Sequence, residues 1–138
     1  MGKKLMSVRI RNVYGRLTKQ ICSDVMILTR PLSYLADLKP EEGILKDIGN
    51  IKDKILIYPG GVGSTVGSYI IYGLKINNKR PIALLVKYID VVTLVGSILA
   101  DIPLFIVEDW ELITSLVGNS LVWTGRGCVN NEVIQIER

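Results

Sequence analysis

The chain has 138 residues, 49% hydrophobic and 22% charged, and a net charge of +4. That length suffices for one hydrophobic core but not for two domains with a cleft between them, so a single domain over residues 1–138 is expected. With no histidine and only two cysteines, the chain cannot perform Ser-His-Asp catalysis, bind metal through histidine, or house an iron–sulfur cluster alone, because such clusters ordinarily need three or four thiolates.

The mean hydropathy of +0.34 is high for a small protein. It has two possible sources: an apolar patch that faces a partner, or parallel strands buried on both faces. Lys and Arg are scattered, with no run beyond Lys3-Lys4 and no basic stripe interleaved with aromatics, so no nucleic-acid partner is expected. The positive charge suits an anionic metabolite or an acidic partner. Residues 91–107 contain Asp101 and Pro103 and fall short of the roughly 20 apolar residues of a membrane span. Residues 1–4 are basic, but no apolar signal-peptide core follows, and a cytoplasmic protein is expected. In that reducing setting Cys22 and Cys128 read as small core residues.

In chain order, Val8, Ile10 and Val13, then Ile21, Val25, Ile27 and Leu28, predict two β segments around a turn at Gly15. Residues 37–50, broken by Pro40, Gly43 and Gly49, read as an irregular loop with room for one helical turn. Residues 54–58 form a short apolar run stopped by Pro59, the pattern of a strand buried on both faces. Beyond a glycine segment, Val66, Tyr69, Ile70, Gly73 and Leu74 recur at helical spacing. A strand at 82–86, a helix through Val91, Leu94, Val95 and Ile98, and a strand at Leu104–Val107 complete an alternating α/β order. Asp101 before Ile102-Pro103 reads as a structural turn residue. Asp109 caps a helix over Trp110–Val117 that Gly118 ends. The tail predicts a hairpin turning at Gly125-Arg126-Gly127, and Trp110 and Trp123 read as core or interface fillers.

The segment Pro59-Gly60-Gly61-Val62-Gly63-Ser64-Thr65-Val66-Gly67-Ser68-Tyr69 carries the chemistry. No Lys-Ser/Thr pair closes it as in a P-loop. Three residues, rather than two, separate Gly63 from Gly67, which excludes the dinucleotide fingerprint. What remains is a loop whose glycines let backbone approach a ligand, delivering Ser64 to a helix N-terminus where free N–H groups favour an anion. Ser64 is then either a reacting hydroxyl or an ordinary helix cap.

The string Gly63-Ser64-Thr65-Val66-Gly67-Ser68-Tyr69 after a Lys-Ile-Leu strand and Pro-Gly resembles the signature of aconitase-X small subunits. Pro31-Leu32-Ser33-Tyr34, Gly43-Ile44, Arg80-Pro81-Ile82-Ala83, Val95-Gly96-Ser97-Ile98 and Ala100-Asp101-Ile102-Pro103 recur in that family in the same order, so the resemblance spans about residues 15–103. It implies an α/β fold, the swivelling β/β/α domain of the aconitase type. It also implies a heterodimer in which a large subunit carries an iron–sulfur cluster of the 4Fe–4S type and most of the active site.

Gly61-Val62-Gly63-Ser64 also falls on the wider aconitase pattern Gly-x-Gly-Ser-Ser-Arg-Glu, whose first serine is the catalytic base. The resemblance thus assigns Ser64 as base, with Gly61, Gly63 and Thr65 as substrate-binding residues and no metal ligand in this chain. Thr65 replaces the second serine, and Val66 replaces the arginine that binds a substrate carboxylate, which argues against citrate or isopropylmalate.

The implied reaction is loss of water from a 3-hydroxy acid: a cluster iron acts on the leaving hydroxyl while a deprotonated serine removes the proton beside the carboxylate. Archaeal members of the family dehydrate mevalonate 5-phosphate to trans-anhydromevalonate 5-phosphate, and a related branch dehydrates cis-3-hydroxyproline. A different class of reading is a non-catalytic anion-binding module. Arg16, Lys19, Arg80, Lys87 and Arg126 are the candidate cations for a phosphate, each also an ordinary solvated surface charge.

Overall fold

The computed structural model describes residues 4–138, so the basic start at residues 1–3 lies outside the described residues. Two long strands, β1 (Leu5–Tyr14) and β2 (Ile21–Leu28), are followed by the short helix α1 (Tyr34–Asp37). Three two-residue strands, β3 (Leu38–Lys39), β4 (Ile44–Leu45) and β5 (Gly49–Asn50), pair as a small antiparallel sheet. Residues 37–50, predicted as an irregular loop with room for one helical turn, instead carry this small sheet directly after α1. Leu38, Leu45 and the following Ile51 tuck into the core, and the alternation is too short to register as strand in the sequence.

The predicted alternation then holds: β6 (Ile55–Tyr58), α2 (Val66–Ile76), β7 (Ala83–Val86), α3 (Val91–Ala100), β8 (Leu104–Val107), α4 (Trp110–Val117), and the hairpin strands β9 (Val122–Val129) and β10 (Val133–Glu137). The larger sheet closes into a barrel in the order β1-β10-β9-β2-β6-β7-β8. Strands β2, β6, β7 and β8 run parallel to one another, and their partners β1 and β9 run antiparallel to them.

Strand periodicity of two divides the core. In β6, Ile55 and Ile57 join Val8, Phe105 and Ile134 inside the barrel, where Ile113 and Val117 of α4 also pack. Leu56 and Tyr58 point the other way, beneath Ile71 and Leu74 of α2 and Ala100 of α3. The four-residue parallel strands are thus buried on both faces, while β1 alternates exposed and buried as a one-sided strand does. Trp110 and Trp123 are half-buried against the barrel core, as fillers. The Asp109 side chain accepts the Leu112 amide and caps α4 as predicted.

Two expectations are overturned. The hairpin does not turn at Gly125-Arg126-Gly127, because β9 runs straight through them. The turn sits at Asn130, whose Oδ1 accepts from the amides of Glu132 at 2.8 Å and Val133 at 2.9 Å. The glycines serve crowding instead. A Cβ on Gly125 would lie 2.2 Å from the Trp123 ring, and one on Gly127 would lie 2.7 Å from the Gln135 carbonyl oxygen.

Nor are Cys22 and Cys128 core residues. They face each other across the β2–β9 ladder, Cys22 exposed and Cys128 half-buried, and form a disulfide. The bond joins residues 106 apart in sequence and so restricts the unfolded chain, an effect typically worth about 2–4 kcal/mol. Thiol titration of the native protein is expected to find no reactive cysteine before reductant. The double variant Cys22→Ser/Cys128→Ser is expected to lose about 2–4 kcal/mol in denaturant unfolding. Two free thiols in the oxidised native protein would contradict the pairing.

Candidate functional site

The loops that leave the C-terminal ends of β2, β6 and β7 gather at one end of the barrel, the usual ligand end of parallel strands. The glycine loop follows β6. Leu32, after β2, bridges Gly61 in parallel: its amide donates to the Gly60 carbonyl, and its carbonyl accepts the Val62 amide. On the other flank, the Lys87 and Tyr88 amides both donate to the Pro59 carbonyl. The loop is therefore sewn into the barrel end on both sides.

Its floor is a directed chain of hydrogen bonds. Asp90, the N-cap of α3, accepts the Thr93 amide on Oδ2 at 2.9 Å. On Oδ1 it accepts the Gly61 amide at 2.8 Å and the Thr93 hydroxyl at 2.7 Å. The Thr93 proton is committed to the carboxylate, so the Tyr34 hydroxyl donates to Thr93, and the Tyr58 hydroxyl donates to Tyr34 at 2.7 Å. Tyr34, Tyr58 and Thr93 are buried. Burial pushes both phenols up, Tyr58 well above the ordinary tyrosine range.

Sterics dictate glycine at the base of the loop. A Cβ on Gly61 would stand 2.6 Å from the Tyr34 ring, 2.8 Å from Thr93 Oγ1 and 2.9 Å from Asp90 Oδ2. Gly61 is buried with its amide spent on Asp90, so it positions the loop rather than facing a ligand. Gly63 has φ +102°, a conformation that side chains disfavour, and it lifts the next residues out of the barrel end.

Gly63, Ser64 and Thr65 are exposed on the resulting crest. Among the described residues, their three amides have no intramolecular acceptor. They sit at the N-terminus of α2, where aligned peptide dipoles add positive potential. Ser64 Oγ accepts the Val66 amide at 3.2 Å. The N-cap of α2 is Thr65, whose side chain makes no cap bond, so this weak contact is a local turn one residue before the cap, and the exposed Ser64 is compatible with a reacting hydroxyl. Ser68 differs: it is buried, and its Oγ donates to the Val92 carbonyl at 2.8 Å.

Of the candidate cations, only Lys87 stands at this end, immediately after β7. Arg16 and Lys19 lie between β1 and β2, near the opposite ends of the parallel strands. Arg80 precedes β7 and donates to the Ala100 and Asp101 carbonyls, closing the end of α3. Asp101 is likewise structural, the left-handed cap of α3 that accepts the Tyr14 hydroxyl. Arg126 pairs with Asp24 on the barrel wall.

Asp90 and Thr93 were not among the residues singled out in the sequence, and Ser33 and Tyr34 stood out only within the family motif; Ser33 Oγ would lie 3.6 Å from a Cβ on Gly63. The cue for Asp90 was present, an acidic residue directly before the apolar helical run at Val91. Arg30, at the end of β2 beside this mouth, was also passed over. It lies 3.7 Å from Asp37 and is largely exposed.

The chain matches the family described as aconitase X swivel domain over residues 14–129. It is 44% identical to the phosphomevalonate dehydratase small subunit of Thermococcus kodakarensis over 72% of this chain and 77% of that one. It is 37% identical to the protein of the same description from Thermococcus sibiricus, over 72% of this chain and 78% of that one. A crystal structure of Thermococcus kodakaraensis aconitase X in its holo-form superposes with a TM-score of 0.78 at 32% identity, covering 96% of this chain and 99% of the other.

The buried phenols give the loop's floor a pH signature. Their folded pKa values exceed the unfolded value of about 10, so above that pH the folded state holds protons the unfolded state has released. Stability is therefore fully present below about pH 10 and falls as pH rises further. Thermal unfolding between pH 8 and 11 is expected to show this decline, with a shallower slope in Tyr58→Phe. A slope unchanged by Tyr58→Phe would contradict the buried, proton-holding chain.

Proposed function

Because the chain belongs to the aconitase X swivel-domain family, we propose that it is the small subunit of a phosphomevalonate dehydratase, a hydro-lyase, with Ser64 as the base that it contributes. The observation that carries this reading is the crest: an exposed serine whose own amide and those of its two neighbours have no acceptor among the described residues, on a loop fixed from beneath.

A serine hydroxyl is ordinarily far too weak an acid to serve as a base near neutral pH. Preorganised N–H groups and a helix N-terminus stabilise negative charge where it must reside, here on Ser64 Oγ. The alkoxide takes a proton from C2 of mevalonate 5-phosphate, beside the carboxylate. The C2–H electron pair forms the C2=C3 bond, and the C3–O bond breaks, so that proton and hydroxide together leave as water. The Val66 amide already donates to that oxygen, and the amides of Gly63 and Thr65 lie on the same crest. Lys87 and Arg30 stand at this mouth as the cations available to the phosphate, and Gly61 acts through its bond to Asp90.

The residues of this chain do not fit an iron–sulfur cluster. Cys22 and Cys128 are bonded to each other, and among the described residues no three His, Cys, Asp or Glu side chains converge. We assign the cluster that the aconitase family suggests to the large subunit, together with the remaining walls of the active site.

The two serines of the motif separate catalysis from structure. In the assembled complex, Ser64→Ala is expected to lower turnover of mevalonate 5-phosphate by a factor on the order of 10² to 10⁴. Its stability should change by less than about 1 kcal/mol, because the bond it removes is long, exposed and not at the N-cap position. Ser68→Ala should do the reverse, costing about 1 kcal/mol through its buried bond to Val92 while turnover persists. Near wild-type turnover by a Ser64→Ala complex would remove Ser64 from the reaction. Turnover of cis-3-hydroxyproline in place of the phosphorylated acid would overturn the substrate assignment.

A further inference from the structure

The helix layer beside the glycine loop is polarised in the wrong sense for a surface that meets water. In α3 the hydroxyl residues Thr93 and Ser97 are fully buried, and Ser97 Oγ has no hydrogen-bond partner among the described residues. The outward face carries Val91, Val95, Ile98 and Leu99, with Val91 69% exposed and Ile98 49% exposed. No charged residue occurs in the ten residues of this helix. In α2 the outward face carries Tyr69, Tyr72 and Ile76, and Lys75 is its one charge. Ten of the fifteen large hydrophobic side chains exposed among the described residues fall between positions 62 and 99. A surface helix normally shows the opposite arrangement, and contiguous apolar patches of this kind mark interaction sites.

The two helices pack tightly through small residues, which makes one surface of their outer faces. A Cβ on Gly96 would lie 2.5 Å from Ile71, and one on Gly67 would lie 2.8 Å from Val92. The surface runs into the reactive crest. Val62 and Val66, on either side of Ser64, are both exposed. Tyr88, whose ring lies where a Gly60 Cβ would be, and Val91, next to Val92 and its bond from Ser68, border the same loop.

We infer that this apolar face of α2 and α3, continuous with the glycine loop, is the surface on which the large subunit seats, an inference that rests on the function proposed above. The reason for this occupant is the position of the serine. Ser64 stands on a crest rather than in a cavity, so the groups that enclose its substrate must come from a surface laid against the crest. A second copy of this chain would bring only another crest. Seating the large subunit here covers the apolar helices and brings its active-site residues over Ser64 in one docking event.

The test uses the two-subunit enzyme and Val95→Lys/Ile98→Lys, both positions lying on the exposed face of α3 and away from the crest. Circular dichroism should show the isolated small subunit folded as before. Its Kd for the large subunit should rise at least 100-fold. Leu5→Lys, an exposed apolar position at the start of β1, should leave the Kd within threefold. Unchanged binding by the α3 variant, or equal weakening by Leu5→Lys, would overturn the surface assignment while the function stands, provided that the wild-type pair assembles and turns over. A wild-type chain that ignores the large subunit, yet self-associates or binds lipid vesicles through this face, would overturn the proposed function as well.

Discussion

The Asp90 carboxylate joins two parts of the chain that sequence leaves 29 residues apart. One oxygen holds the Gly61 amide and the Thr93 hydroxyl, and the other holds the Thr93 amide at the first turn of α3. Hydrogen bonds to a charged acceptor are each worth about 1.5–3 kcal/mol, roughly twice a neutral bond. The loop after β6 is thereby tied to the helix after β7, and α2, which grows from that loop, takes its position from both. Gly61 is glycine because Tyr34, Thr93 and Asp90 already fill the space a side chain would need. The three amides of the crest have no acceptor among the described residues, while the backbone on either side of them is bonded to the barrel end and to α2.

This arrangement divides labour within the motif. The buried half, Gly60, Gly61, Gly67 and Ser68, fits the loop to Tyr88, Tyr34 and Val92. The exposed half, Gly63, Ser64 and Thr65, is what a ligand can meet. Apolar residues on either side of that half extend it into the outer faces of α2 and α3. A crest of this kind is suited to completing another protein's cavity. The high hydropathy of the chain then has both of its possible sources, strands buried on two faces and an apolar helical surface.

Much of this was legible in the sequence. The short apolar runs at 54–58, 82–86 and 104–107 had the pattern of buried strands, and their alternation with helical spacing set the α/β order. The glycine segment by itself put Ser64 beside a helix N-terminus, where the structure has it, one residue before the cap of α2. The failures share a cause, namely that the deciding partner is distant in sequence. Nothing local says that Gly127 is pressed by the Gln135 carbonyl rather than forming a turn, or that Cys22 lies opposite Cys128 across a ladder. In the same way, nothing local connects Tyr34, Tyr58 and Thr93, whose hydroxyls the barrel brings together beneath the loop. Four of the five candidate cations lie away from the loop end and keep their alternative reading as surface or structural charges, because spacing does not reveal which end of a parallel strand a charge occupies.

The central claim is that Asp90 sets the geometry of the reactive crest, and kcat of the purified two-subunit complex carrying Asp90→Asn tests it most directly. An asparagine has a single carbonyl oxygen with which to replace two carboxylate oxygens, so it cannot accept all three bonds, and its amide group would face the Thr93 or Gly61 N–H. Displacement of a catalytic group by about 1 Å can cost on the order of 10² in rate. The Asp90→Asn complex is expected to assemble still, with kcat reduced by at least about tenfold. A fully assembled Asp90→Asn complex with wild-type kcat would contradict the claim.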